Sequence, residues 1–321
     1  MSCKACACGV SLENTKFDCV PIFEVAYKLI AVQTYDSTGA RNTIPFTANL
    51  NQAYFDALIN QADTTKRWYP LPPMKNINDV RGDNKTFEFD DQSVEFLAEG
   101  ARKFIGMIAG GKSGANSPQM KGLIENIRCG DYSFYVVSVS GQLIGNVSSD
   151  GLSLEPIEID EQSIVAQFMK KTNDAPQHLL LSFNWSQVAT DDALRMFDCT
   201  EVGGADLKGL RGLFGVCYQL LDQTTTTLKF ILKTLFGTET NPVTVDGLVT
   251  NDFVSSDDGA VGQIYNETDG GNVPVVSVEN PDGTYELTFA AQDLGDVLVI
   301  KPLKAGYDFT CVEEEPVDVQ S

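Results

Sequence analysis

The sequence is poor in histidine, in tryptophan and in long apolar runs. It contains one histidine, His178, and two tryptophans among 321 residues. Because imidazole is the side chain that titrates near neutral pH, a mechanism that needs a histidine base has only His178 available. His178 opens the apolar run HLLLSFNW, where a structural role is the simpler interpretation. We therefore predict that the chain is not an enzyme.

No uninterrupted apolar run approaches the roughly 20 residues that a membrane-spanning helix requires. The first 25 residues also lack the continuous apolar core of a signal peptide. These absences predict neither membrane insertion nor Sec export, and no membrane partner is expected.

Positive charge is scarce and unevenly placed. The chain has 23 Lys and Arg against 44 Asp and Glu, a formal net charge of −21. Residues 238–321 contain 17 acidic side chains and only two basic ones, Lys301 and Lys304. This change in charge density predicts a domain boundary, with one domain at 1–237 and an acidic one at 238–321. Since phosphate neutralisation needs clustered Lys and Arg, the acidic part is not expected to bind nucleic acid.

The eight cysteines fall into two sets. One is an N-terminal cluster of Cys3, Cys6, Cys8 and Cys19, and the other is the scattered set of Cys129, Cys199, Cys217 and Cys311. Four thiolates can hold Zn²⁺, but spacings of two, one and ten intervening residues are not those of a zinc ribbon. We predict no metal site and no cofactor, and we expect the scattered set to be buried free thiols of a reducing compartment.

Short strand patterns dominate the chain, separated by clusters of Gly, Asn, Asp and Pro. TLKFILK (227–233) alternates cleanly and forms a plausible hairpin with VCYQLL (216–221). A helix is predicted from the N-cap Ser117 and from Pro118 at its first position, with a second, weaker one at 50–61. The first domain is therefore predicted to be a β-sandwich with one or two flanking helices.

Residues 238–321 have an all-β pattern. Strand-like runs recur about every 10 residues with turn residues between them, which is the spacing of a β-sandwich. In NPDGTYELTF (280–289), Pro281 and Gly283 suit a tight turn, after which Tyr285, Leu287 and Phe289 share one strand face. A second sandwich is predicted here.

Residues 106–113 read GMIAGGKS, which satisfies the P-loop pattern. A working P-loop needs a strand that ends at the first glycine and a helix that begins at the Lys-Ser pair. Pro118 would lie inside that helix, where it lacks an N–H and clashes with the preceding turn. We predict a glycine-rich strand-to-helix loop here.

Two further motifs have plain structural interpretations. Two of the carboxylates Glu155, Glu158 and Asp160 in EPIEID could act as general acid and general base. Carboxylates on an alternating strand, however, usually form its solvent-exposed face. The tripeptide RGD at 81–83 is interpreted as a surface turn.

The order of elements after residue 67 resembles a known family. RWYPLPPMKNINDVRGD (67–83) is followed by FEFDDQSVEFLAEGARKFIGMI, PQMKGLIENIR, DYSFYVVSVSGQLIG and HLLLSFNW. Over roughly residues 15–235 this succession resembles the tail tube proteins of tailed bacteriophages, in particular those of phages that infect Bacteroidetes. DGTYELTF and GDVLVIKPLKAGYDF resemble the immunoglobulin-like domains that decorate phage tails and capsids.

The resemblance implies stacked hexameric rings around a channel through which DNA passes without specific binding. It implies contacts with identical subunits and other virion proteins, and a place in the virion after assembly in the host cytoplasm. The family has no catalytic residues to carry over. We also predict that the apolar segment Trp68, Tyr69 and Pro70 packs across a subunit boundary.

Three alternatives stay open. The first is another virion part, a capsid-decorating or head-to-tail ring protein. The second is a P-loop nucleotide-binding enzyme that uses GMIAGGKS. The third is a glycan-binding module that uses exposed aromatic side chains such as Tyr265 and Tyr285.

Overall fold

The computed structural model describes residues 23–109, 117–237, 242–313 and 315–320. The chain is mainly β and divides into two compact units, Met1–Gly212 (unit 1) and Leu213–Ser321 (unit 2). This division lies before the boundary at 237 that the charge pattern suggested. The reason is that the hairpin at 216–233 pairs with the strand at 285–289, so it belongs to unit 2. The N-terminal cysteine cluster lies outside the described residues.

Unit 1 is built from short strands and two α-helices. Its strands are β1 (Ala26–Gln33), β2 (Ile44–Pro45), β3 (Tyr69–Pro70), β4 (Lys75–Arg81), β5 (Lys85–Glu88), β6 (Val94–Ala98), β7 (Arg102–Ala109), β8 (Tyr132–Ser138), β9 (Leu143–Val147), β10 (Ser153–Glu155), β11 (Ile157–Met169), β12 (His178–Trp185) and β13 (Leu194–Phe197). Its helices are α1 (Gln52–Ile59) and α2 (Pro118–Asn126), with 3₁₀ turns at Ile127–Cys129 and Asp191–Ala193.

Two sheets of unit 1 share strand β11. The first sheet contains β1, β8, β9 and β10, with β2, β3 and β13 at its margins. The second, which we call the four-strand sheet, has the order β11-β12-β7-β4 and is antiparallel throughout. Ile157 and Glu158 of β11 pair with β8, and the strand pairs with β12 from Ile159 onward. A register shift between Asp160 and Val165 marks its passage from one sheet to the other.

An aromatic cluster joins the two sheets. Phe134 of β8 lies 5.0 Å from Phe183 of β12, measured between ring centroids. Phe183 also stacks on Phe104 of β7 at 5.0 Å and contacts Trp185 at 4.9 Å. All four rings are buried, so unit 1 is a β-sandwich whose core lies between the sheets. This confirms the predicted fold class.

Both helices form where their caps predict them. Ser117 accepts a hydrogen bond from the Met120 backbone N–H, and Pro118 occupies the first turn of α2. At α1 the Asn51 side chain plays the same capping role. Within the predicted apolar stripe of α2, Ile124 and the following Ile127 are buried, whereas Leu123 is 40% exposed.

Unit 2 is a second β-sandwich. Its elements are β14 (Phe214–Gln223), β15 (Thr227–Gly237), β16 (Pro242–Thr244), β17 (Gln263–Asn266), β18 (Gly271–Glu279), β19 (Tyr285–Phe289), β20 (Val297–Val299), β21 (Tyr307–Asp308), α3 (Thr310–Glu313), β22 (Val317–Asp318) and a 3₁₀ turn at Thr250–Asp252. The strand order is β21-β14-β15-β19-β18-β17-β20-β22, and β18 pairs with β19 along one half and with β17 along the other.

The predicted NPDG turn is present between β18 and β19. Gly283 has φ 78° and donates its N–H to the carbonyl of Asn280 at 2.9 Å. A positive φ is the conformation that glycine adopts without steric cost. Tyr285, Leu287 and Phe289 are buried on one face of β19, as the alternation predicts.

The cysteines correct the sequence-based expectation of buried free thiols. Cys217 and Cys311 form a disulfide with 5.1 Å between their Cα atoms. Cys199 is also disulfide-bonded, and Cys129 is free but exposed. Spacing along the chain gave no sign of this pairing, because 94 residues separate the two partners.

Lys28 of β1 is buried in unit 1 although it carries a charge. It is 1% exposed, and its Nζ donates to the carbonyl oxygens of Lys208 at 3.2 Å and Leu210 at 2.5 Å. Burial lowers the pKa of Lys28 from 10.5 to about 8, and the nearby Asp206 carboxylate opposes that shift. The ammonium group thus ties the end of unit 1 to β1.

We expect the free energy of unfolding of unit 1 to rise between about pH 8 and pH 10.5. In that window the unfolded chain binds more protons than the folded one, because the folded-state pKa of Lys28 is depressed to about 8. Below about pH 8, Lys28 is protonated in both the folded and the unfolded chain, so the cost of burying its charge is fully present. Urea unfolding followed by tryptophan fluorescence measures the change, since Trp68 and Trp185 both lie in unit 1. The Lys28→Met variant should lack the rise, and an equal rise in that variant would contradict the assignment.

Candidate functional site

The four-strand sheet packs one face on the core and exposes the other. We call the exposed side the bare face; the strand pairing assigns to it Lys75, Asn78, Val80, Lys103, Ile105, Met107, Ala109, Asp160, Val165, Gln167, Met169, His178, Leu180, Ser182 and Asn184. Ile105, Met107 and Leu180 are half-buried at its centre. Towards the margins, Val165 is 41% and Val80 is 52% exposed. The bare face is therefore a partly apolar surface open to contact.

Both edges of the four-strand sheet lack a strand partner within the described residues. Strand β4 pairs with β7 on one side only. Residues 165–169 of β11 pair with β12 on one side only, because β8 reaches no further than Glu158. Outside these ladders, the described chain makes no backbone–backbone hydrogen bond to β4 or to residues 165–169. An unpaired edge presents rows of N–H and C=O groups to which another strand can bind.

A β-hairpin, which we call the arm, extends from the connection between β4 and β7. It consists of β5 and β6, which pair only with each other in the described chain. Every residue of both strands is exposed, including Phe87 at 52%, Phe96 at 57% and Leu97 at 59%. A two-stranded hairpin has little stability alone in water, and exposed apolar side chains on it indicate a contact surface.

The base of the arm is held by a network of ion pairs. Arg81 at the end of β4 contacts Glu99 at 2.9 Å and Asp191 at 3.0 Å. Arg102 at the start of β7 contacts Asp79 at 2.6 Å and Asp191 at 3.1 Å. Asp191 thus bridges the two arginines that flank the arm, and its hydrogen bond raises the pKa of Arg81.

The segment that enters the arm and the segment that leaves it approach each other closely at Gly82 and Gly100. A Cβ placed on Gly100 would lie 2.0 Å from the carbonyl oxygen of Gly82. The Gly82 N–H donates to the Ala101 carbonyl at 2.9 Å, and Arg81 donates to the Gly100 carbonyl at 3.1 Å. No other residue type fits at position 100 without moving the backbone, so the crossing fixes where the arm begins.

The sequence of the arm contains a hairpin signal of its own. KTFE and VEFLA lie on either side of a turn that contains the polar residues 90–93, where Gln92 has φ 65°. Alternation around a polar turn predicts a hairpin. It does not reveal whether the apolar face is buried in the same chain.

The predicted subunit-contact segment lies beside β1. Trp68 is 3% exposed and packs on Tyr135, with 5.0 Å between ring centroids. Tyr69 and Pro70 form β3, are half-buried and pair with β1. Trp68 thus belongs to the core of unit 1, and a contact of this segment with another subunit stays a prediction.

The glycine-rich motif does not have P-loop geometry in its described half. Gly106 lies inside β7 and pairs with Leu181 of β12, so the strand continues past the glycine at which a P-loop strand must end. Residues 110–116 lie outside the described residues. The next helix begins at Pro118, as predicted.

The other charged motifs are engaged in structural contacts. Arg41 forms ion pairs with Glu155 at 3.1 Å and with Glu158. Asp160, the third carboxylate of that motif, lies on the bare face beside Asn184. In the RGD tripeptide, the Arg81 side chain is held in the network at the base of the arm.

The single histidine and the proposed glycan-binding aromatic residues also have structural surroundings. The Nδ1 atom of His178 lies 2.9 Å from the Pro176 carbonyl oxygen. Tyr285 is fully buried, and its hydroxyl donates to the Val245 carbonyl at 2.9 Å. Burial raises the pKa of Tyr285 to about 12. Tyr285 was therefore wrongly expected to be an exposed glycan contact.

We expect Asp191→Asn to loosen the arm while leaving unit 1 folded. The substitution removes the charge that both arginines contact, and partly exposed ion pairs of this kind are worth about 0.2–1 kcal/mol each. Hydrogen exchange of residues 83–99 should accelerate, and the tryptophan-monitored unfolding midpoint should change little. Asp192→Asn is the matched control, because Asp192 lies next in sequence but outside the network. Equal exchange in the wild type and in Asp191→Asn would contradict the role of the network.

No other ligand-binding chemistry stands out in the described chain. An open depression of about 520 Å³ in unit 2 is bordered by Asp246 and Glu279, which already accept hydrogen bonds from Thr244 and Gly247. Within the described ranges, no three His, Cys, Asp or Glu side chains are grouped as a metal site. No helix in this part of the chain is long and apolar enough to cross a membrane. Comparisons of the chain with protein-family models, curated proteins and solved structures found no match.

Proposed function

We propose that the chain is a structural subunit of a phage virion, namely the tail tube subunit. In this proposal identical copies form stacked hexameric rings around a channel through which DNA passes without specific binding. The four-strand sheet with two unpaired edges carries the proposal. Unit 1 builds the ring, and it contacts other virion proteins at the ends of the tube after assembly in the host cytoplasm.

The number of strands in the sheet supports ring formation. Strands β11, β12, β7 and β4 alternate in direction, so β11 and β4 run in opposite directions at the two edges. When copies are related by rotation, β4 of one copy meets β11 of the next. The new pair is then antiparallel, like every pair within the sheet. Such an edge-to-edge contact is heterologous and closes into a ring when the rotation permits.

The bulk of unit 1 decides which face of the sheet lines the channel. The first sheet and α2 pack against the core side of the four-strand sheet. In a closed barrel these layers fit only on the outer circumference, so the bare face lines the interior. The charged side chains of the bare face are Lys75, Lys103 and Asp160, and the others carry amide, hydroxyl, imidazole or apolar groups. A wall with so little charge suits a channel that DNA passes without being held.

The proposed ring is wide enough to be open. Six copies contribute about 24 strands, and a spacing of ~4.8 Å gives a circumference of about 115 Å and a diameter of roughly 37 Å. Barrels of about 16–18 strands already leave an aqueous channel. The exposed apolar arm would then contact a neighbouring subunit, and acidic unit 2 resembles the immunoglobulin-like domains that decorate phage particles.

We expect charged substitutions at both edges to block assembly without unfolding the subunit. Val80→Lys and Met169→Lys place an ammonium group beside β4 and at the end of β11, where the wild-type side chains are 52% and 46% exposed. Lysine on an edge strand discourages pairing, and the two introduced ammonium groups lie on the same face of the sheet, where they repel each other across the new contact. Sedimentation velocity and electron microscopy should detect rings or tubes of the wild type and only monomers of the double variant.

Val188→Lys is the matched control, since Val188 is 78% exposed and lies outside the strands of unit 1. Circular dichroism verifies that all variants are folded. A wild type that stays monomeric at high concentration would overturn the proposal. A single ring or a capsid lattice in place of stacked rings would favour the head-to-tail or capsid-decorating alternative.

We also expect assembly to survive removal of unit 2. The chain should be ended after Gly212, because an end at residue 237 would leave β14 and β15 without β19, their partner sheet. Tubes of residues 1–212 should form as in the full chain and appear thinner in electron micrographs. Loss of tubes in a folded truncated chain would assign the assembly contacts to unit 2.

A further inference from the structure

The C-terminal residues of unit 2 form a strap that closes one side of its sandwich. We define the strap as the described residues among 307–320, which contain β21, α3 and β22. It begins in parallel pairing with β14, where Tyr307 faces Phe214. It ends in antiparallel pairing with β20, where Val317 faces Leu298. Since β14 and β20 lie in different halves of the sandwich, the strap spans the open side between them.

Apolar side chains and hydrogen bonds hold the strap at positions away from the disulfide. Phe309, Val312, Val317 and Val319 are all buried in the core of unit 2. The Val319 N–H donates to the Asp296 carbonyl at 2.8 Å. These contacts extend along the whole strap, so its position is set by burial and backbone pairing.

Two more contacts run from β14 to the strap. The Tyr218 hydroxyl donates to the Glu315 carbonyl at 2.8 Å, and the Gln223 side chain donates to the Asp318 carbonyl at 2.8 Å. Together with the four buried side chains, they hold Cys311 of α3 opposite Cys217 of β14. The Cα atoms of the two cysteines are 5.1 Å apart, and both residues are half-buried. This separation lies within the usual range for a disulfide, and the partial exposure of both residues leaves the sulfur atoms accessible to a small reagent.

We infer that the strap docks first through its apolar contacts and that the Cys217–Cys311 disulfide is added later as an oxidative staple. The inference rests on the proposed function for the compartment in which the chain folds, a reducing host cytoplasm where structural disulfides are rare. After the assembled particle leaves the host cell, a low-molecular-weight disulfide accepts two electrons from the thiols of Cys217 and Cys311. The two thiols lose two protons and form one S–S bond, and the oxidant is reduced to two thiols.

The thiol state of freshly made protein tests the order of events. The full chain is produced in a reducing bacterial cytoplasm, and the cells are lysed directly into denaturant containing N-ethylmaleimide. Peptide mass spectrometry should find Cys217 and Cys311 alkylated, with the free Cys129 as the internal control for complete reaction. After treatment of the purified reduced chain with oxidised glutathione, the peptides that contain Cys217 and Cys311 should be linked, with a mass two hydrogens below the sum of the two reduced peptides. A freshly made chain that is already bonded at these positions would overturn the inference.

Hydrogen exchange tests whether the strap docks without the disulfide. Amides of β20 and β22 should be protected in the oxidised chain, the reduced chain and the Cys217→Ser/Cys311→Ser variant alike. Val317→Asp, which places a charge in the core, supplies the reference for an undocked strap. Exchange in the reduced chain as fast as in Val317→Asp would overturn the inference, because docking would then require the bond. Rings are scored separately by electron microscopy, so a failure of assembly and a failure of the staple are distinguishable.

Discussion

The hydrogen-bonding need of backbone groups at a sheet edge is the constraint on which this structure depends. An N–H or C=O group that is removed from water must find a partner, and within a sheet the partner is the next strand. The four-strand sheet meets this need internally through three ladders, and among the described residues its two edges have no strand partner. The sandwich fold around the sheet keeps the open edges in fixed positions, because the rings of Phe104, Phe134 and Phe183 lock the two sheets together. Edges held in fixed positions by the fold are what the proposed assembly requires.

Electrostatics limits which part of the chain can assemble. Residues 213–321 contain 18 acidic and four basic side chains, so unit 2 carries most of the formal charge of −21. Like charges on unit 2 oppose close packing of one copy of it against another. Unit 1 is less charged, and at the base of the arm its arginines are already paired with Asp79, Glu99 and Asp191. In the proposed assembly, contacts between copies would therefore depend on strand pairing and apolar burial in unit 1.

Elements with strong local signals could be predicted from the sequence, whereas their partners could not. Ser117 and Pro118 fix the start of α2, and Gly283 fixes a turn, because caps and positive φ depend on single residues. The alternating pattern of the hairpin at 216–233 is the same whichever sheet it joins, so it does not reveal that the hairpin pairs with β19 of unit 2. Its two lysines and single carboxylate also delay the change in charge density until after residue 237.

The candidate site was harder to predict than the fold, because it is defined by absent partners. Alternation in β5 and β6 predicts a hairpin, but a phenylalanine such as Phe87 has the same pattern whether it faces a core or solvent. The open edge of β11 depends on where β8 stops pairing, which is a property of the register shift after Asp160. The pairing of Cys217 with Cys311 likewise could not be predicted, because it depends on the three-dimensional path of the strap. Trp68 is buried in the core of unit 1 although it lies in a turn-rich stretch, and the sequence pattern does not distinguish such a core position from an exposed one.

The bulge in β4 explains how an open edge can be selective for the strands that pair with it. The strand has a register shift between Lys75 and Asn78, and Asn76 adopts φ 51°, a conformation that non-glycine residues rarely take. A bulge of this kind twists the edge away from a flat, general template, and Lys75 adds a charge that must stay hydrated. A strand that pairs along β4 must therefore match both its regular part and its bulge. In the proposed assembly, the partner is the edge of β11 in an identical copy, whose position, direction and length are fixed by the same fold. The bulge that selects against other strands is then compatible with pairing between copies.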